Sequence, residues 1–400
     1  MQGRLSLTIL VSTLLLFCTL KVQAQTVDLT LDRYASPYMG ANLMIGALRA
    51  YQATDEISLS SSQGNHNLLM IAGRSVKFLA EWSLSSLAMV AQHEVFGHGA
   101  RAREFHLANV SYKVNFFSGY TRFSSVGYNG LNVNQKAALA TGGMEATTIL
   151  SGQIQQLWFA GDSIDSREAA MYLVNSLDQS RYVFGTKNNR FSADNDVYSY
   201  VTQVNAWQGQ GGKIFNITNL KRKIKWDYFD PMLYYSVYAL YNYVLTGENT
   251  INFSRLFIKS YSFMPTTRTL LAPWGPELQL QNHLYSPDKQ YLGIYFRTGR
   301  TGGKMSHGAD IILKPIASFD YFTLDNKLSV WHQPHILKNT SGPNTTDKFG
   351  FADFISIHYQ ISVPVSLMAE VGYKTSGFLP GTPLARGLVW RLGFNLKYGC

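Results

Sequence analysis

Two cysteines in 400 residues leave almost no room for disulfide chemistry. Cys18 falls inside an N-terminal segment that reads as a secretory signal: Arg4, an apolar run from Leu5 to Leu20, then Val22-Gln23-Ala24 before the expected cut. Exclusion of residues 1–24 leaves Cys400 alone, so an exported chain of this kind draws its stability from a core or a membrane rather than from internal disulfides. Charge is scarce as well, at 15% of residues, which argues against an ordinary soluble enzyme. No later segment supplies the ~20 uncharged apolar residues of a membrane helix. A serine nucleophile elbow, a glycine-rich phosphate loop and a CxxC pair are all missing, so no nucleotide cofactor is expected. Nothing beyond the basic run Lys221-Arg222-Lys223-Ile224-Lys225 suggests a nucleic-acid partner, and that run reads first as a solvated loop and second as a contact for anionic lipid.

Aromatic residues are abundant instead: 24 Tyr, 23 Phe and 7 Trp. With low charge and no spanning helix, they suggest strands that cross a membrane without raising average hydropathy. The C-terminal third alternates accordingly. Ile355, Ile357, Tyr359, Ile361 and Val363 share one face, and Leu388, Trp390, Leu392, Phe394, Leu396 and Tyr398 share another. Period-2 runs of this length match tilted membrane strands. The ending resembles the terminal strand of outer-membrane barrels, although Gly399 and Cys400 follow the aromatic Tyr398. The expected fold is therefore α+β: a signal over 1–24, a mainly helical part over 25–250 with a zincin-like helix pair, and an antiparallel sheet over 251–400, closed as an outer-membrane-type β-barrel.

Within the helical part, helices are expected over about 66–105, 134–159 and 164–178, with a hairpin over 108–125 and loop over 186–215. Asp230-Pro231 opens a further helix and Gly247 closes it. Its Tyr234, Tyr238 and Tyr241 follow helical spacing and are read as packing residues first and as an interfacial belt second. The first helix carries Gln92-His93-Glu94-Val95-Phe96-Gly97-His98-Gly99. Residues four apart on an α-helix share a face, whereas residues five apart differ by about 140°. His93 and His98 can converge only if one extra residue is absorbed as a π-bulge, a distortion found mostly at functional sites. They would then hold zinc as neutral imidazoles, with Glu94 taking a proton from the metal-activated water.

HEVFGHG resembles the HExxGH signature of the dipeptidyl peptidase III family of zinc peptidases. The resemblance implies a third ligand on a downstream helix, and Glu145, 47 residues after His98, stands at the corresponding place. Gly142-Gly143 replace the acidic start of that family's EExxAE motif, so the implied likeness is one of site chemistry rather than of fold. Glu145 is also the only charge between Ala137 and Gly161, and a carboxylate on so apolar a helix needs a partner. Zinc is one candidate; Arg101 and Arg103 are others, and Glu104 or His106 could take Glu145's place as ligand. Tyr112, Tyr120, Tyr128 and Arg101 are within sequence reach as oxyanion donors.

The expected protein is an exported zinc hydrolase of a Gram-negative outer membrane, with the periplasm as second choice. It would be a metallopeptidase first, with Zn2+ on His93, His98 and Glu145 and Glu94 as general base. Its partners would be membrane lipid or lipopolysaccharide and a peptide or lipid substrate. The alternatives are a non-catalytic outer-membrane protein with a structural metal or salt-bridged helices, and a lipid or lipopolysaccharide hydrolase.

Overall fold

The computed structural model describes residues 25–58, 67–186, 195–209, 215–287, 290–336, 346–362 and 365–398. The expected signal segment and Cys400 lie outside the described residues. Strand β1 (Gln25–Asp32) leads into helix α1 (Pro37–Ser58), where the Asp32 carboxylate accepts hydrogen bonds from the Tyr34 and Ser36 amides. Helix α2 (Leu68–Ala91) is capped by Asn67 and runs straight into a π-helical turn, Gln92–His98, and a short helix α3 (Gly99–Glu104). Next come the hairpin strands β2 (Ser111–Val114) and β3 (Gly119–Arg122), then the short helix α4 (Ser125–Asn129). Helix α5 (Val133–Gly161) begins with a full capping box between Asn132 and Gln135.

Strand β4 (Ser163–Asp165) and helices α6 (Ser166–Ser176), α7 (Asp178–Gly185), α8 (Asp196–Trp207) and α9 (Ile217–Ile224) follow. Helix α10 (Pro231–Thr246) has the Asp230 cap, first-turn proline and left-handed Gly247 that its sequence predicts. The loop expected over 186–215 is corrected in part: α8 occupies its middle, started by the Asn195 side chain accepting from the Tyr198 amide. Tyr234, Tyr238 and Tyr241 are exposed rather than packed. The basic run lies largely in α9, where Lys221 donates to the Thr186 carbonyl. The main apolar core forms where α5, α6 and α10 meet, around Leu150, Ile154, Trp158, Tyr172 and Leu240.

After strands β5 (Thr250–Asn252) and β6 (Leu256–Ile258), the chain forms a long antiparallel meander. Its strands are β7 (Tyr261–Ala272), β8 (Gly275–Tyr285), β9 (Tyr291–Thr301), β10 (Lys304–Ser318), β11 (Phe322–Pro334), β12 (Asp347–Ser362), β13 (Val365–Lys374) and β14 (Gly387–Tyr398). They make one ten-stranded sheet in the order β1-β14-β13-β12-β11-β10-β9-β8-β7-β6. The N-terminal strand pairs with the C-terminal one, from Gln25 opposite Tyr398 to Asp32 opposite Arg391.

The two edges of this sheet, β1 and β6, are not paired with each other among the described residues. The expected closed barrel is therefore corrected to an open sheet. Outer-membrane placement and a lipid or lipopolysaccharide partner lose the closure on which they were inferred. Among the described residues no helix is long and apolar enough to cross a membrane. Period-2 alternation reports that the two faces of a strand differ; it does not report whether the sheet's edges meet. Here the helices lie against one face. Arg268 on β7 donates to Thr148 O and Gln155 on α5, and Thr141 on α5 donates to Leu271 O on β7.

The face turned to the helices is polar: Gln279, Gln281, His283, Arg297 and Asp310 are all buried. The opposite face exposes Phe296, Ile311, Val330, Val371 and Trp390. Buried polar groups are stable only when bonded, and His283 illustrates the rule, with Tyr291 Oη at 2.8 Å from Nδ1 and Thr266 Oγ1 at 3.2 Å from Nε2. Burial, with Arg268 nearby, pushes the His283 imidazole down to about 3. The unfolded chain takes up this proton near pH 6.5, whereas the folded one refuses it until about 3. The associated stability is complete above the unfolded value and is lost as pH falls through the folded one. Thermal midpoints of the wild type are expected to drop more steeply on acidification from pH about 6.5 than those of a His283→Gln variant. Parallel curves would contradict this.

Candidate metal centre

The π turn is what brings the two histidines together. Its last link runs from the Gly99 amide to the Glu94 carbonyl, five residues back, so positions 93 and 98 stack on one side of the helix. The widened turn is held from outside. The Glu94 carbonyl also accepts from Thr121 Oγ1 (3.0 Å), and the Val95 carbonyl accepts from Arg103 (2.7 Å). Gln92 Nε2 donates to Pro37 O and Ala146 O, both at 2.9 Å, fastening the turn between α1 and α5. The approach of α5 requires glycine. A Cβ at Gly97 would sit 2.5 Å from the Gly142 carbonyl oxygen, and one at Gly143 would collide with the His93 ring.

His93 Nε2, His98 Nε2 and Asp196 Oδ2 form a triangle with sides of 3.1, 3.2 and 3.3 Å. The tautomers follow from what lies behind each ring. His98 Nδ1 is 2.7 Å from the Leu139 carbonyl, which only accepts, and His93 Nδ1 is 2.8 Å from the Asp178 carboxylate. Both Nδ1 atoms therefore donate. In neutral imidazoles both Nε2 atoms then present lone pairs toward each other and toward a carboxylate oxygen. Three acceptors converge with no donor among them, an arrangement that calls for a cation. Ligand atoms bound tetrahedrally at ~2.05 Å lie about 3.3 Å apart, so the triangle has the dimensions a metal ion needs, and the three groups can hold one.

The carboxylates at the cluster also favour positive charge on the rings. Burial alone would lower both imidazoles, but Asp178 beside His93 and Asp196 beside His98 outweigh it and hold both above the ordinary value. Burial would raise Asp196, and the two histidines reverse that, holding its carboxyl well below the usual range. The Asp178–His93 contact is the carboxylate–histidine arrangement that orients metal-binding imidazoles; Thr147 Oγ1 donates to the same Asp178 oxygen at 3.0 Å. Tyr182 stacks on the other face of His93, centroids 5.0 Å apart and planes 13° from parallel.

The cluster opens on one side. His93 and His98 are buried, but the Asp196 side chain is 23% exposed, and His98, Asp196 and Glu94 line a cavity of about 610 Å³. Glu94 accepts from Thr121 Oγ1 at 2.7 Å through Oε2, which fixes its carboxylate along the cavity wall. Tyr120 and Tyr128 line the same cavity, while Tyr112 is bonded to Arg103.

Glu145 is elsewhere. Its carboxylate is bracketed by Arg101, at 2.7 Å from Nη2 and 3.1 Å from Nε, and accepts from the Gly381 amide at 2.7 Å. Arg101 also reaches Glu104 (2.6 Å) and Thr382 O (2.9 Å). Arg101 is thus neither an oxyanion donor at the cavity nor free to release Glu145. The third group of the cluster is Asp196, so the resemblance to dipeptidyl peptidase III, which implied Glu145, does not hold, and with it goes the inference of a peptidase. A signal for Asp196 was present in the sequence. Asn195-Asp196 forms an N-cap with an acidic first turn, followed by Val197, Tyr200, Val201 and Val204 at helical spacing.

No protein-family model and no curated protein matches this chain. Among solved structures, the NanC porin in a rhombohedral crystal form is similar over 36% of this chain and 74% of its own, at 13% identity and a TM-score of 0.26. A likeness that slight carries no argument about fold or function.

Two substitutions test this geometry without touching the three groups themselves. Asp178→Asn removes the charge behind His93 and is expected to weaken affinity for a divalent metal ion by about 10- to 100-fold. Gly143→Ala drives a methyl into the His93 ring and is expected to weaken it at least as much. Competition against a fluorescent zinc chelator measures both, and unchanged affinity in both variants would contradict the assignment.

Proposed function

We propose that this protein is a metal-dependent hydrolase whose ion is Zn2+, held by His93, His98 and Asp196. The observation that carries the reading is an incomplete ligand set beside an open cavity. Three protein groups converge, and their free side faces the space lined by Glu94. Structural zinc sites are closed by four protein ligands, whereas catalytic ones keep a position open. Two imidazoles and one carboxylate suit zinc, and the Asp178 contact behind His93 supplies the orienting shell that such sites use.

The bound ion supplies Lewis acidity that makes water nucleophilic near neutral pH. The chain does the rest. Glu94, one residue after His93 and fixed by Thr121, takes the proton that the attacking water loses and returns it to the leaving group. Tyr182 stacks on the His93 ring and lines the same cavity. The His93 imidazole pulls its phenol down, yet burial and the surrounding carboxylates hold it up at about 12, so it remains a neutral donor for developing negative charge.

Metal analysis of the purified protein and two variants tests the proposal. The wild type is expected to retain one zinc per chain and Asp196→Ala to lose it. Glu94→Gln is expected to keep the metal while hydrolysis of an ester and amide panel falls by ~10²-fold or more. A wild type that binds no zinc, or a Glu94→Gln variant with undiminished hydrolysis, would overturn it.

A further inference from the structure

The cavity beside the cluster has a second chemical feature. Arg122 on β3 and Lys136 in the second turn of α5 both line it. Among the described residues neither side chain makes an ion pair or hydrogen bond. Each rests on an aromatic ring instead: the Arg122 guanidinium lies 4.4 Å from the Tyr120 centroid, and the Lys136 ammonium lies 5.2 Å from that of Tyr128. Both tyrosines line the cavity too. Most other cations around this region are spoken for: Arg101 by Glu145 and Glu104, Arg103 by the Tyr34, Ala35 and Val95 carbonyls.

The charge balance is uneven. With a divalent ion at the cluster and neutral imidazoles, the three carboxylates Glu94, Asp196 and Asp178 leave the floor with a single negative charge. Arg122 and Lys136, neither of them in an ion pair, more than offset that charge and make the wall positive. Unpaired cations in a concave site attract and orient a complementary ion, and the cation–π contacts hold them in place beforehand.

We infer that the substrate of this site is an anion: its carboxylate or phosphate group binds Arg122 and Lys136, while the bond to be cleaved lies at the metal cluster. The aromatic surfaces of Tyr120 and Tyr128 flank the apolar portion between the two ends. This inference rests on the metal-site reading above and adds the substrate's charge to it.

The test uses hydroxamates, which bind zinc directly. A series of ω-carboxy alkyl hydroxamates of increasing length is compared, by calorimetry on the zinc-loaded full chain, with neutral alkyl hydroxamates of equal length. At one length or more, the wild type is expected to prefer the anionic member by about tenfold. That preference is expected to vanish in Arg122→Gln/Lys136→Gln, to survive in Arg122→Lys, and to shrink in the wild type as salt is raised. Alkyl phosphonates of matching length, tested beside the carboxylates, show which oxyanion fits better. No preference at any length, or a preference that persists in the double variant and at high salt, overturns the inference while zinc and neutral hydroxamate binding leave the metal site standing. Absence of both zinc and hydroxamate binding overturns the metal site and the inference together.

Discussion

Two imidazole nitrogens 3.1 Å apart, both presenting lone pairs when the rings are neutral, are the constraint around which this part of the structure is arranged. The Leu139 carbonyl and the Asp178 carboxylate fix both protons on the far sides of the rings. Asp196 adds a third acceptor instead of relieving the other two. Every nearby peculiarity serves that convergence. The π turn aligns residues five apart, Gly97, Gly142 and Gly143 let α5 approach, and Gln92 and Arg103 hold the widened turn open. Such an expensive local geometry is retained where it has a chemical use.

The ion pair between Arg101 and Glu145 has a different task. Arg101 sits three residues after His98, and Glu145 two after Gly143, so their bracketed contact keeps α3 and α5 in the register that the histidines require. Through Gly381 and Thr382 it also ties both helices to the segment preceding β14. Removing one partner from such a buried pair typically costs about 3–5 kcal/mol. The site is thereby fastened to the sheet through a salt bridge, and the sheet's polar inner face is the complement of that arrangement.

Much of this was legible in the sequence, and the limits are physical. The five-residue spacing of His93 and His98 already required a bulge, and the lone charge of Glu145 already required a partner. Which partner depended on how α5 is rotated against the π turn. That rotation is set by the glycine contacts at 142 and 143, which a sequence shows only as small residues. Asp196 was missed because its helix lies within a Gly/Asn/Gln-rich stretch whose composition outweighed a clear cap. Strand alternation correctly indicated a two-faced antiparallel sheet. Closure is a relation between β1 and β6, more than 200 residues apart, and no periodicity within either strand encodes it.

The most direct measurement is a crystal structure of the zinc-loaded protein with anomalous data collected at the zinc edge. The account predicts a single peak about 2.0–2.2 Å from His93 Nε2, His98 Nε2 and Asp196 Oδ2, with its open side toward Glu94. A map with no peak there, or with zinc bound to Glu145 after release from Arg101, would contradict it.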